Sequence, residues 1–165
     1  MKNNLSFSIY TDNFKLMKNQ KIITISGKSG LYKLLTTTKS GIIAESLIDK
    51  KRIMTPFTAV SALDEIAVFT VDDEIPLWQV LKKIAGKEDY KPAIDHKSDK
   101  NTLTAYFKEV MPDYDEERVY PSHIKKILQW YNILQNTGYL KTFLEQKETE
   151  NKEMKNDDGE KGNES

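Results

Sequence analysis

The fold turns on the stretch Lys21-Ile22-Ile23-Thr24-Ile25-Ser26-Gly27-Lys28-Ser29-Gly30-Leu31-Tyr32-Lys33-Leu34-Leu35-Thr36 and on the way its pattern continues to Val71. Two runs of branched or aromatic residues, Lys21–Ser26 and Leu31–Thr36, flank a turn with glycine at both ends. Three more runs follow at Ile42–Leu47, Arg52–Thr55 and Ile66–Val71. Lys39-Ser40-Gly41 and Asp49-Lys50-Lys51 supply the left-handed or polar positions that reverse a chain within a few residues. Ile23 and Ile25 point one way while Thr24 and Ser26 point the other, the period-two pattern of a strand with one buried face. Short strands at this spacing predict a five-stranded SH3-like or Sm-like β-barrel, whose closure removes the edges that a flat sheet exposes. Pro56 ends the fourth run, Phe57–Leu63 reads as an irregular link, and Asp72-Asp73-Glu74 closes the barrel.

Beyond the barrel the period changes from two to 3.6. Pro76 suits the first turn of a helix, with Leu77, Val80, Leu81 and Ile84 on one face and Gly86 at its end. Lys87–Lys97 carries Pro92 and no period, so it is a connector. Ser98 reads as the N-cap of a second helix striped by Leu103, Tyr106, Phe107 and Val110, which Pro112 ends. Ser122, after Pro121, caps a third helix whose stripe is Ile124, Ile127, Leu128, Tyr131 and Leu134, and Gly138 stands at its C-terminal cap. Tyr139–Leu144 adds a last apolar turn. The predicted class is therefore α+β: a small barrel, then three helices of which the last two form an antiparallel pair.

The expected organisation is a disordered or non-native leader at 1–16, the barrel at 17–75, a helical domain at 76–144 and a disordered acidic tail at 145–165. Met17 is the expected start, because the pattern begins there. The tail holds four lysines against eight carboxylates and almost nothing apolar, so burial does not offset the entropy of ordering it. The formal net charge of +0 hides an opposite excess, since Lys18–Arg52 carries eight basic residues against Glu45 and Asp49. Cysteine is absent, which removes disulfides, thiolate nucleophiles and thiolate-held metals. No apolar run is long enough to span a bilayer and no signal peptide is recognisable, so a cytoplasmic protein without membrane contact is expected.

Several stretches resemble chemistry at first sight. Gly27-Lys28-Ser29-Gly30 lacks both the upstream glycine and the following helix of a phosphate-binding loop, and reads as a hairpin turn. Asp113, Asp115, Glu116 and Glu117 lack the glycine and the bidentate glutamate of a calcium loop, and read as a solvated turn. Asp95 beside His96 is the start of an acid–base pair, against the alternative of a capping and docking loop. Trp130 packs in the core or, if exposed, binds a partner. Lys28, Lys33, Lys39, Lys50, Lys51 and Arg52 lie in or beside turns, where small barrels present binding residues, and cations gathered on one face suit a phosphate backbone.

The runs Ile25–Leu34, Gly41–Leu47, Ser61–Ile66, Ala93–Asp99 and Lys125–Asn132 together resemble a domain-of-unknown-function family of Bacteroidota bacteria, in the same order over roughly Lys18–Leu140. The resemblance implies a small N-terminal β domain, C-terminal helices and a short acidic tail, and the residues before Met17 depart from the usual family start. It brings no activity, cofactor or catalytic residue. The leading expectation is a non-enzymatic cytoplasmic binding module whose Lys28, Lys33, Lys39, Lys50, Lys51 and Arg52 meet RNA or a ribonucleoprotein. The alternative is a protein–protein adaptor using the helical pair with Asp95, His96 and Trp130. An enzyme is least supported, and no metal or cofactor is assigned.

Overall fold

Alternating apolar residues become the first three strands and 3.6-periodic ones become the first three helices in the computed structural model, which describes residues 21–160. The expected leader at 1–16 and the start at Met17 lie outside those residues. The chain divides into two units between Leu63 and Asp64.

In the first unit, β1 (Ile22–Ile25), β2 (Tyr32–Thr37), β3 (Ile42–Ser46), β4 (Arg52–Thr55) and β5 (Val60–Ala62) form one antiparallel sheet in the order β4-β3-β2-β1-β5. Ile23, Ile25, Tyr32, Ile42 and Ala44 make its apolar cluster, with Leu34, Ile53, Ala59 and Val60 packed against them. The register slips between Leu34 and Thr36, so Leu35 is a bulge residue and stands partly exposed. Glycines with positive φ, Gly27 at 78° and Gly30 at 91°, form the first turn, and Lys28 N–H donates to Ile25 O at 3.0 Å.

The sheet is open, which corrects the expected SH3-like or Sm-like closed barrel. β4 and β5 are its edges and do not pair with each other. The fifth strand is Val60–Ala62, drawn from the stretch read as an irregular link, and it pairs with β1 through Ile23↔Ala62 and Ile25↔Val60. The run read as the fifth strand instead starts a local hairpin in the second unit, β6 (Ala67–Phe69) with β7 (Glu74–Pro76). Thr70 N–H donates to Asp73 O at 2.8 Å and Asp73 N–H donates to Thr70 Oγ1 at 3.0 Å. Two bonds across so short a loop need little loop-closure entropy, so local pairing wins over a distant edge.

Four helices follow, α1 (Leu77–Glu88), α2 (Lys100–Val110), α3 (Pro121–Asn136) and α4 (Leu140–Glu160), where three were expected. The predicted stripes are the buried faces: Leu77, Val80, Leu81 and Ile84, then Leu103, Tyr106, Phe107 and Val110, then Ile124, Ile127, Leu128, Tyr131 and Leu134. The caps differ from expectation. α1 runs past Gly86 and ends at Asp89, left-handed at φ 54°, whose N–H donates to Ala85 O. Asp99 rather than Ser98 caps α2, its Oδ1 accepting from Thr102 N–H at 2.9 Å. α3 starts at Pro121, and Tyr120 N–H donates to His123 Nδ1 at 3.1 Å. Gly138, with φ 81°, closes α3 as expected, and Tyr139 N–H reaches back to Leu134 O at 2.9 Å.

The expected disordered tail is helical to Glu160 because its first turns are anchored. Leu140, Phe143 and Leu144 are buried, and in the next turn Lys147 Nζ meets Asp64 Oδ2 and Glu150 Oε2, each at 2.6 Å. Burial works against the Lys147 charge, but the two carboxylates outweigh it and hold its pKa above the usual value. Lys82 of α1 pairs with Glu148 of α4. From there a stretch rich in Glu and Lys carries the helix on by propensity.

Two buried phenols set an alkaline limit on the second unit. Burial pushes the Tyr131 hydroxyl up to about 12, and burial together with the hydrogen bond to Glu88 raises Tyr106 well above its usual value of 10.0. A pKa raised in the folded state means that the neutral form is the one the fold favours, so this stability is intact below 10.0 and drains away as pH climbs through about 12. The urea midpoint is expected to fall across that interval, and Tyr131→Phe is expected to flatten the fall. If tyrosinate absorbance in the folded protein developed wholly at the ordinary value, this account would be wrong.

Candidate functional site

An antiparallel meander returns alternate turns to the same end of the sheet. The β1–β2 and β3–β4 turns are therefore neighbours, and Leu47 N–H donates to Leu31 O at 3.0 Å to tie them. Lys28, Lys50 and Lys51 lie in those turns, and Lys33 and Arg52 stand at the adjoining ends of β2 and β4. Lys39 is in the β2–β3 turn at the opposite end. Five of the six expected cationic residues thus share one end and the sixth does not.

Lys33 and Arg52 share one carboxylate. Glu45 is directly opposite Lys33 on one side and Arg52 on the other, with its Oε1 3.8 Å from Lys33 Nζ and its Oε2 3.2 Å from Arg52 Nε. Asp49 Oδ1 accepts from Lys51 N–H at 3.1 Å, and this main-chain bond holds the Asp49 carboxyl below the usual range. Lys50 occupies the left-handed turn position, with φ 61°. Ile48 is exposed among these charges.

The second unit holds an apolar cleft of about 240 Å³ between the strand segment Ile66–Phe69 and the face of α3 that carries His123, Lys126, Ile127 and Trp130. Val119 and Arg118 complete its wall. Val68, Val119 and Ile127 are buried, Trp130 is half-buried, and Phe69 is 40% exposed. The Arg118 guanidinium lies 4.2 Å from the centre of the Phe69 ring while its Nε holds Asp115 Oδ2 at 2.7 Å. That bond keeps the Asp115 carboxyl below its ordinary value. Trp130 therefore belongs to a cleft wall. Sequence reasoning missed Phe69, Arg118 and Lys126, although His123, Lys126, Ile127 and Trp130 repeat at i, i+3, i+4 and i+7 and mark a second stripe on α3.

Asp95 and His96 are not part of that cleft. His96 Nδ1 lies 3.5 Å from Asp95 Oδ1, and the same oxygen accepts from Lys97 N–H at 2.9 Å. The turn follows the segment 91–94 of the connector, which is docked on α3. Asn132 Oδ1 accepts from Ala93 N–H at 2.8 Å, its Nδ2 donates to Ile94 O at 3.1 Å, and Tyr131 donates its hydroxyl to Lys91 O at 2.9 Å. No helix among the described residues is long and apolar enough to cross a membrane.

Comparison with known proteins matches both units. Residues 20–63 match a domain of unknown function, DUF5606, and residues 66–134 match a second, DUF6852. The two matches meet at the division between Leu63 and Asp64. A structural-genomics solution NMR structure of a protein from Bacteroides vulgatus is 41% identical with a TM-score of 0.60, over 72% of this chain and 87% of that one. No curated protein matches.

Proposed function

We propose that this chain, which belongs to the uncharacterised Bacteroidota family carrying these two domains of unknown function, is a non-enzymatic cytoplasmic binding module. Its first unit holds RNA, or the acidic face of a ribonucleoprotein, at the cationic end of the sheet. The observation that carries this reading is the meeting of Lys28, Lys50 and Lys51 in two turns tied by the Leu47–Leu31 hydrogen bond. Three ammonium groups on adjoining turns suit a phosphate backbone, because each phosphate neutralised releases a condensed counterion. Lys33 and Arg52, held by Glu45, form the stiff strand ends beneath those turns.

The test uses the full chain and a fluorescein-labelled oligouridine, read by anisotropy across a salt series. Reversing Lys28, Lys50 and Lys51 to Glu is expected to weaken binding at least about tenfold and to make the salt slope shallower by about 2, since each single-strand phosphate contact contributes about 0.7. Lys39→Glu, at the other end of the sheet, is expected to change little. Equal weakening by Lys39→Glu, or a salt slope near zero for the wild type, would overturn the reading.

A further inference from the structure

Main-chain hydrogen bonds reveal an unfilled place on the edge of β6. Leu77 N–H donates to Ile66 O and Thr70 N–H donates to Asp73 O, each at 2.8 Å, so Ile66, Val68 and Thr70 turn their peptide groups toward β7. By the period of two, Ala67, Phe69 and Val71 turn theirs outward. Part of that outer edge is taken: Asp115 N–H donates to Phe69 O at 3.0 Å and Val71 N–H donates to Asp113 O at 2.9 Å, around the antiparallel bridge Thr70↔Tyr114. The chain then leaves the edge at Asp115. Among the described residues this leaves Ala67 N–H, Ala67 C=O and Phe69 N–H unpaired on an exposed strand.

The unpaired groups border the apolar cleft, so a segment continuing the edge brings alternate side chains to Ile127 and Trp130. The two cations at the rim differ, because Arg118 is held by the Asp115 carboxylate at 2.7 Å and Lys126 is not. Lys126 and Arg118 line the cleft, no carboxylate does, and no ion pair engages Lys126 among the described residues. We infer that β6 takes up an extended peptide of a protein partner by strand addition. The peptide carries branched or aromatic residues at alternate positions and carboxylates beside them. Main-chain pairing supplies affinity in such a complex, and the side-chain pocket with its cations supplies selectivity.

A phage-displayed library of random short peptides, selected on the immobilised full chain, tests this. The recovered peptides are expected to alternate apolar residues and to be rich in Asp and Glu. In amide NMR they are expected to move the Ala67 and Phe69 resonances and slow their exchange. Ala67→Pro, which deletes an outward N–H and leaves the β7 ladder alone, is expected to abolish binding. Lys126→Glu, at an exposed position that cannot unfold the helix, is expected to weaken it roughly tenfold. The inference is overturned by no enrichment, by enrichment of basic peptides, by shifts elsewhere in the chain, or by Lys126→Glu binding as the wild type does. Oligouridine moving the same amides would replace the peptide by RNA at this edge and overturn it too.

Discussion

Gly41→Ala is expected to destabilise the first unit by about 3 kcal/mol, a large share of what so small a unit has. Gly41 immediately precedes β3, and Ile42 pairs with Thr55 of β4. A Cβ on Gly41 would lie 2.2 Å from Thr55 O, 3.0 Å from its carbonyl carbon and 3.2 Å from Pro56 Cα. All three are backbone atoms, so no side chain can swing aside. Gly41 itself is pinned, because Thr38 N–H donates to Gly41 O at 2.7 Å and Gly41 N–H donates to Thr38 Oγ1 at 3.1 Å. Relief therefore requires β4 to part from β3. Gly27→Ala makes the comparison, since nothing lies within 4 Å of its Cβ position and only its φ of +78° opposes the change. That variant is expected to cost about 1 kcal/mol. Urea midpoints that fell equally for the two variants would remove the steric account.

What the sequence reveals and what it hides separate along contact range. The faces of α1, α2 and α3 were legible residue by residue, because a 3.6-periodic stripe such as Ile124, Ile127, Leu128, Tyr131, Leu134 records burial within one segment. The inward set Ile23 and Ile25 was legible for the same reason at period two. Partner choice was not. Ile66–Val71 and Val60–Ala62 both read as extended or irregular chain, and only the Thr70–Asp73 turn decides which of them joins the sheet. Closure depended on β4 meeting β5, a pairing that leaves no mark in either short segment. The helix after Leu144 was hidden because composition argued for solvation, while ion pairs to residues far away in sequence, Lys147 with Asp64 and Glu148 with Lys82, anchor it.

The candidate sites divide in the same way. The cations of the β1–β2 and β3–β4 turns could be named from sequence, and the meander explains why Lys39 is separated from them. Glu45 was counted as one of two acids in a basic stretch, yet the register places it between Lys33 and Arg52 and so reduces the charge free to bind. The cleft needed two distant pieces, β6 and α3, and its cations Arg118 and Lys126 carry no local signal beyond their place beside the His123, Ile127, Trp130 stripe. An open strand edge is a property of pairing and has no sequence signature of its own.

Asn132→Ala is expected to cost the second unit about 2 kcal/mol, because one side chain satisfies three main-chain groups of the connector between α1 and α2. Its Oδ1 accepts from Ala93 N–H at 2.8 Å, and its Nδ2 donates to Ile94 O at 3.1 Å and to Ala93 O at 3.4 Å. The connector contains Pro92 and little buried apolar surface, so these bonds and the Tyr131–Lys91 bond at 2.9 Å hold it on α3. Asn132→Asp separates the donor role from the acceptor role. The introduced carboxylate keeps the bond from Ala93 N–H but faces two carbonyl oxygens, which favours its neutral form and raises its folded-state pKa. Such a group opposes folding while ionised, so the deficit is expected to exceed that of the alanine variant at neutral pH and to shrink as acid protonates it. Paired urea titrations at neutral and mildly acidic pH, each referred to the wild type, measure the difference. A deficit for Asn132→Asp that did not change with pH would mean that the two donated bonds contribute nothing, and that the connector, with the Asp95 and His96 turn beyond it, is positioned by the bond from Ala93 N–H and by Tyr131.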